Sequence, residues 1–171
     1  MGRESWGLAA AEVRTKPEGG YRFVTSEELC LAWALYREGR VSARGLRAYF
    51  ALHEMAARRA AVEGGCVARF TVVELATLME EQDARKGRAA LTELERAGLV
   101  VFSEKSLRFN RAHELESVPA CLHTMLAEFK KPERAVPVPR RVLRMLAVRA
   151  GRGFVATTLA HVLRCMRFLR K

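Results

Sequence analysis

Residues 70–110 carry an ordered series of helix and turn signals, and this series constrains the fold more than any other feature of the chain. Thr71 and Glu74 have the spacing of a capping box, in which two side chains satisfy backbone N–H groups left unpaired at a helix start. A short polar turn then ends at Asp83, a favourable N-cap residue for a second helix. Apolar spacing continues this second helix over residues 84–97. The stretch therefore predicts two short helices joined by a tight turn.

A hairpin is predicted directly after the second helix. Gly98 can take the left-handed conformation that commonly ends a helix. Two apolar, strand-like runs, residues 99–102 and 107–109, then lie on either side of residues 103–106. The order helix, turn, helix and hairpin predicts a mainly α fold with a small β-wing, which belongs to the α+β class.

This order, together with residues 94–100 (LERAGLV), resembles the end of the recognition helix and the first wing strand of many bacterial winged-helix regulators. An amphipathic helix over residues 42–63 would be the first helix of the module, and residues 66–70 its short edge strand. The resemblance implies a winged helix-turn-helix that binds double-stranded DNA, with additional helices around it. Modules of this kind also serve as protein-binding adaptors, so the resemblance is more specific for fold than for biological role.

The second helix of this module divides into an inner and an outer face. Residues at intervals of three and four are expected to pack on the first helix and the wing: Gly87, Ala90, Leu91, Leu94 and Ala97. The opposite face carries the expected DNA contacts, which are Arg85, Lys86, Arg88, Ala89 and Thr92. Arginine binds a guanine edge with two hydrogen bonds, lysine mostly binds phosphate, and small methyl-bearing side chains fit a thymine methyl. An ordinary solvated face is the alternative. Cations near a helix start oppose the helix dipole, however, and this favours a functional face.

Basic residues are concentrated at the carboxyl terminus. Residues 132–171 hold 10 Lys/Arg and a single acid, a balance of +9, whereas residues 1–131 hold 20 Lys/Arg against 18 Asp/Glu, a balance of +2. Such segregation is typical of an electrostatic footprint for a polyanion. The candidate DNA contacts in this segment are Arg140, Arg141, Arg144, Arg164 and Arg167, and Lys105 is the candidate at the wing tip.

The chain is expected to divide into four segments. Residues 1–24 form a flexible arm, and residues 25–131 form the winged-helix domain with its flanking helices. Residues 132–139 contain three prolines, which bar a helix, and are interpreted as a linker. Residues 140–171 form a basic helical hairpin, or the start of a second winged helix. The chain ends inside the last predicted helix, which favours a truncated protein or a terminus that folds against a partner.

Several chemical classes have no support in the sequence. There is no P-loop, no Rossmann glycine fingerprint and no metal-ligand spacing, including around His113, Cys121 and His123, so we expect neither an enzyme nor a cofactor. We interpret Glu80, Glu81 and Asp83 as solvated or capping acids and His53 as a core histidine. The scattered cysteines, the absence of an 18-residue apolar run and the lack of a signal-peptide pattern predict a soluble cytoplasmic protein.

The leading interpretation is a bacterial transcriptional regulator that places residues 84–97 in the major groove and binds its site as a homodimer. The first alternative is a replication initiator of a plasmid or mobile element, in which two winged helices in tandem bind an iterated site as a monomer. The second alternative is an adaptor that binds an acidic protein partner and not DNA. Binding of the basic helices to an anionic membrane is the least favoured option.

Overall fold

The computed structural model describes residues 20–63, 70–102, 107–148 and 154–168, without the side chains of residues 59–63, 154 and 165–168. The helices of these residues are α1 (Ser26–Arg37), α2 (Ala43–Glu63), α3 (Val72–Leu78), α4 (Ala84–Arg96), α5 (Cys121–Leu126), α6 (Arg140–Ala147) and α7 (Phe154–Phe168), with a 3₁₀ turn at Ala112–Glu114. The strands are β1 (Tyr21–Thr25), β2 (Val100–Phe102), β3 (Leu107–Phe109) and β4 (Ala135–Pro139). The protein is therefore mainly helical with two small antiparallel sheets, which confirms the predicted α+β class.

Helix α2 lies at the centre of the core. It packs against α3 and α4 and also against α6, α7 and β1. Residues 48–57 are buried without a break, including Tyr49, Phe50 and Leu52, so the middle of α2 is buried on every face and is not the amphipathic helix that was expected. The buried apolar residues of all these elements form one continuous cluster. The basic segment after residue 139 thus shares its core with the preceding residues.

The interpretation of residues 132–139 as a linker is wrong for most of that segment, because β4 occupies residues 135–139. Strand β4 pairs antiparallel with β1, with Arg22 opposite Val138 and Val24 opposite Val136. Residues 20–24, which were expected to lie in a flexible arm, likewise enter the core through Val24, which is fully buried. Residues 1–19 lie outside the described residues.

The prolines fit this strand because they fall on its unpaired side. Pro137 and Pro139 alternate with the residues whose backbone groups bond to β1, and the N–H of Arg140 extends that same set by donating to Gly20 O at 2.8 Å. A proline at such an outward position removes no ladder hydrogen bond, so it is tolerated on an edge strand. Proline content alone could not distinguish this strand from a linker.

The capping box predicted at Thr71 and Glu74 is complete at the start of α3, and Thr25 with Glu28 forms a second one at the start of α1. Helix α5 ends at Leu126, and Phe129 beyond it is still buried. The strand expected at residues 66–70 lies almost entirely outside the described residues.

Candidate nucleic-acid interface

The turn between α3 and α4 is fixed by backbone hydrogen bonds. Glu81 N–H donates to Ala76 O at 2.8 Å and Glu80 N–H donates to Thr77 O at 3.0 Å, which is the pairing of a Schellman motif. Glu80 holds the position that usually carries glycine, with a φ of 56°. Asp83 then caps α4 by accepting from the N–H of Arg85 at 2.8 Å. The start of α4 is therefore held in a defined direction relative to α3.

The inner face of α4 packs closely on α3, as its spacing predicts. Gly87, Ala90, Leu91 and Leu94 are buried. A Cβ placed at Gly87 would lie 3.3 Å from Val72 O and 3.4 Å from the Ala76 Cβ, so a side chain here would crowd α3 by a few tenths of an ångström. Glycine at this position therefore lets α3 and α4 pack closely.

The outer face of α4 carries a stripe of exposed residues. Arg85, Arg88, Ala89 and Thr92 are all exposed, and the side chain of Arg85 is 91% accessible. The Thr92 hydroxyl donates to Arg88 O at 3.1 Å, which leaves its methyl group for an outside contact. Arg96 is also exposed and lies three turns beyond Arg85 on the same stripe. Sequence reasoning missed Arg96, although its helical spacing from Arg85 was a readable signal.

Lys86 lies at the edge of this face, beside a buried acid. Glu81 is 2% exposed, and Arg47 donates to it at 2.7 Å while Lys86 Nζ lies 3.6 Å and Arg44 Nε 3.5 Å from its carboxylate. Burial by itself would raise the pKa of Glu81, but the hydrogen bond from Arg47 and the charges of Arg47, Lys86 and Arg44 hold that pKa below its usual value. The interpretation of Glu81 as a solvated turn residue was therefore wrong.

This buried acid ties three elements together. Arg47 also donates to Met79 O at 3.1 Å, so one guanidinium joins α2 to the turn before α4. Arg44 and Lys86 keep 44% and 41% of their side chains exposed while they contact the same carboxylate. Three cations around one carboxylate leave a positive balance at the amino-terminal end of α4. No sequence signal linked Arg44 to this end, because the contact spans 37 residues of chain.

A second acid joins α4 to the start of α2. The carboxylate of Glu93 accepts hydrogen bonds from both the backbone N–H and the hydroxyl of Ser42, the latter at 2.9 Å. Ser42 in turn accepts from the N–H of Gly45 at 3.1 Å, in the first turn of α2. The carboxyl-terminal half of α4 is thus attached to the start of α2, in addition to the attachment at the amino-terminal end of α4.

The hairpin after α4 has the predicted pairing. Val100 pairs with Phe109 and Phe102 with Leu107, and Asn110 closes the base by donating from its side chain to Gly98 O at 2.8 Å. Gly98 ends the helix with a φ of 82°. Lys105, the predicted wing-tip contact, lies outside the described residues.

The described cations of the carboxyl-terminal segment do not all face solvent. Arg140 was predicted to contact DNA, and this prediction is wrong, because the residue is 1% exposed. Its guanidinium donates to Glu54 of α2 at 2.8 and 3.1 Å. Arg140 precedes Leu143 and Ala147 by three and seven residues on α6, so helical spacing already placed it on the buried face.

Two further arginines share the carboxylate of Glu54. Arg144 Nε lies 3.3 Å from it and Arg58 Nη2 lies 3.1 Å from it, and both keep part of their side chains exposed. Glu54 itself is fully buried. Part of the +9 charge of residues 132–171 therefore belongs to Arg140 and Arg144, which neutralise Glu54 of the central helix α2.

The remaining predicted contacts lie on α6 and α7 and not on α4. Arg141 on α6 and Arg164 on α7 are exposed. Helix α6 packs on α2, α7 and β4, and α7 packs on α1, α2 and α6, whereas α4 packs on α2, α3 and β2. The backbone of Arg167 belongs to α7, but its side chain lies outside the described residues. The structure therefore groups the five α4 candidates on one helix and places Arg141 and Arg164 on other elements.

Comparison with known protein families, with curated proteins and with solved structures finds no match to this chain. Within the described ranges, no three His, Cys, Asp or Glu side chains are grouped so that they could hold a metal ion. In the same part of the chain, no helix is both long enough and apolar enough to span a membrane.

Proposed function

We propose that this chain is a DNA-binding winged-helix protein of the transcriptional-regulator type and that α4 enters the major groove. The observation that carries the proposal is the division of α4 into two faces. One face is buried by close packing around Gly87, and the other presents an exposed stripe that begins with Arg85 and Arg88. A helix that reads a DNA groove must pack on the protein with one face and present cations on the opposite face.

Each residue of the stripe has a role that follows from its chemistry. Arg88 is exposed in the first half of α4 and is the candidate for a bidentate contact with guanine. Ala89 and the methyl group of Thr92 suit a thymine methyl. Lys86 and Arg44 flank the helix start, and point charges at such positions suit phosphate oxygens.

Arg85 has an acidic partner within the chain and can exchange it for DNA. Its guanidinium lies 3.0 Å from Asp83, the residue that caps its own helix. The pair is highly exposed on the arginine side, so its contribution to stability is small. Exchange of this carboxylate for a phosphate or a guanine edge would therefore cost little and would leave the Asp83 cap in place.

The replication-initiator alternative placed two tandem units on either side of a proline-rich linker at residues 132–139. Strand β4 occupies most of this segment and pairs with β1 in the same core. Arg85 and Lys86 already have acidic neighbours within the chain. These neighbours reduce their attraction for DNA and for an acidic protein partner alike, so they do not favour the adaptor alternative.

Fluorescence anisotropy of the full chain on random duplex DNA, from low to physiological salt, tests the proposal. We expect binding that weakens steeply with salt, because each phosphate contact releases counterions. Arg85→Ala should weaken binding, whereas Arg37→Ala, an exposed arginine on α1, should leave it unchanged. No binding even at low salt, in a folded protein, would favour the adaptor and sink the proposal.

A further inference from the structure

The β1–β4 ribbon has an outer face that the rest of the described chain leaves uncovered. Alternation along the two strands places Arg22, Val24 and Val138 on the core side. The opposite face carries Phe23, which is 55% exposed, together with Tyr21 and the exposed Pro137 and Pro139. The rings of Tyr21 and Phe23 meet edge to face with centroids 5.1 Å apart.

The two edges of this ribbon differ in what they offer to another strand. On the β4 edge, the outward positions include Pro137 and Pro139, which have no N–H to donate. On the β1 edge, the outward positions are Tyr21, Phe23 and Thr25. The N–H of Thr25 already donates to Glu28 at 2.8 Å, whereas among the described residues nothing is hydrogen bonded to the outward backbone groups of Tyr21 and Phe23. One edge is therefore blocked to further strands, and the other is open.

We infer that the open edge of β1 pairs with β1 of a second copy of this chain, so that two ribbons form one antiparallel sheet across a two-fold axis. Such a dimer would have no open strand edge left for a further copy. Both new outer edges of the sheet would be β4 strands, and their prolines would stop the addition of a third copy. The inference depends on the ribbon alone and not on DNA binding.

Charge selects the register of this pairing. If Tyr21 paired with Phe23 of the second copy, the two Arg22 residues would stand directly opposite each other, and like charges in that position repel. The neighbouring register places the two Phe23 residues opposite each other, where each exchanges both backbone hydrogen bonds with its counterpart. The exposed Phe23 and half-buried Tyr21 rings of both copies then share one apolar face.

Sedimentation equilibrium of the full chain without DNA, over a wide concentration range, tests the inference. We expect a monomer–dimer equilibrium and no larger species. Phe23→Pro removes the outward donor and the ring, and it should raise the dimer dissociation constant at least about tenfold. Val73→Ala is the matched control, because Val73 is an exposed apolar residue of α3 at 62% accessibility. It should leave the dimer unchanged.

Two further variants keep the test decisive. If Phe23→Pro does not fold by circular dichroism, Phe23→Lys retains the strand backbone and brings two like charges together at the axis, with the same expected loss of dimer. Replacement of Pro137 and Pro139 by Thr should restore donors to the blocked edge and produce species larger than a dimer. A wild-type chain that stays monomeric, or a dimer that neither Phe23 variant weakens, would overturn the inference.

Discussion

The residue Glu80 is expected to reduce the stability of the fold, and its replacement by glycine should increase it. Three helices end in Schellman motifs, and the residue in the left-handed position is Gly39 after α1, Glu80 after α3 and Gly98 after α4. A left-handed conformation costs an L-residue about 1–2 kcal/mol through contact of its Cβ with the following carbonyl. The greater freedom of glycine in the unfolded chain offsets part of this gain.

Glu80→Gly should therefore raise the free energy of unfolding by about 1 kcal/mol, or the melting temperature by about 2–4 °C for a chain of this size. Glu80 is exposed, so the substitution removes no buried contact. Glu80→Ala removes the carboxylate but keeps the Cβ, and its effect should stay within about 0.5 kcal/mol. Denaturant unfolding, followed by circular dichroism, measures all three proteins.

The converse substitution, Gly39→Ala, should lower the free energy of unfolding by a similar amount. A Cβ at Gly39 meets no atom within 4 Å, so Gly39→Ala isolates the cost of the left-handed backbone, again about 1 kcal/mol. At Gly98 a Cβ would also meet the Leu115 Cγ at 3.1 Å, so Gly98→Ala should cost more. The reasoning is refuted if Glu80→Gly is neutral or destabilising while Gly39→Ala destabilises.

The remaining predictions concern buried groups. Glu54→Gln should lower the free energy of unfolding by about 3–5 kcal/mol in denaturant titrations, because it leaves Arg140 buried beside a neutral amide, whereas the exposed Glu95→Gln should be nearly neutral. Burial, and secondly the charge of Arg22, hold the pKa of His53 well below its usual value, so the folded protein keeps His53 neutral. The contribution of neutral His53 to the free energy of unfolding should be fully present above pH 6.5. Below pH 6.5 the free energy of unfolding should fall by at most about 1.4 kcal/mol per pH unit, because the unfolded chain takes up the proton. Melting curves of His53→Leu should show a flatter dependence between pH 5 and 7, and an unchanged slope would contradict this account. Gly87→Val should lower stability by about 1–3 kcal/mol in the same assay through overpacking against α3, and a neutral effect would show that the two helices are not tightly packed.

Features that depend on neighbours in sequence were predictable. The Thr71 capping box, the Asp83 cap and the Gly98 stop each depend on residues within about four positions of one another, so spacing alone identified the start of α3 and both ends of α4. The inner and outer faces of α4 followed from the helical period in the same way.

Features that depend on distant partners were not predictable. Pro137 belongs to a strand only because Phe23, more than 100 residues earlier, lies opposite it. Arg140 is buried because Glu54, 86 positions away, supplies its countercharge. Helical spacing put Arg140 on the buried face of α6, but nothing in the sequence identified Glu54 as the acid that pairs with it. Arg44 joined the candidate interface only through the fold, since it shares Glu81 with Lys86.

Binding of Arg88→Ala and of the wild type to two duplexes shows whether α4 reads bases in the major groove. One is a site selected by the wild-type protein from random DNA, and the other is random DNA of equal length. If Arg88 reads a base from α4, the substitution should cost about 1–3 kcal/mol on the selected site and much less on random DNA. Equal losses on both duplexes would reduce Arg88 to a phosphate contact, and no loss on either would contradict the placement of α4 in the major groove.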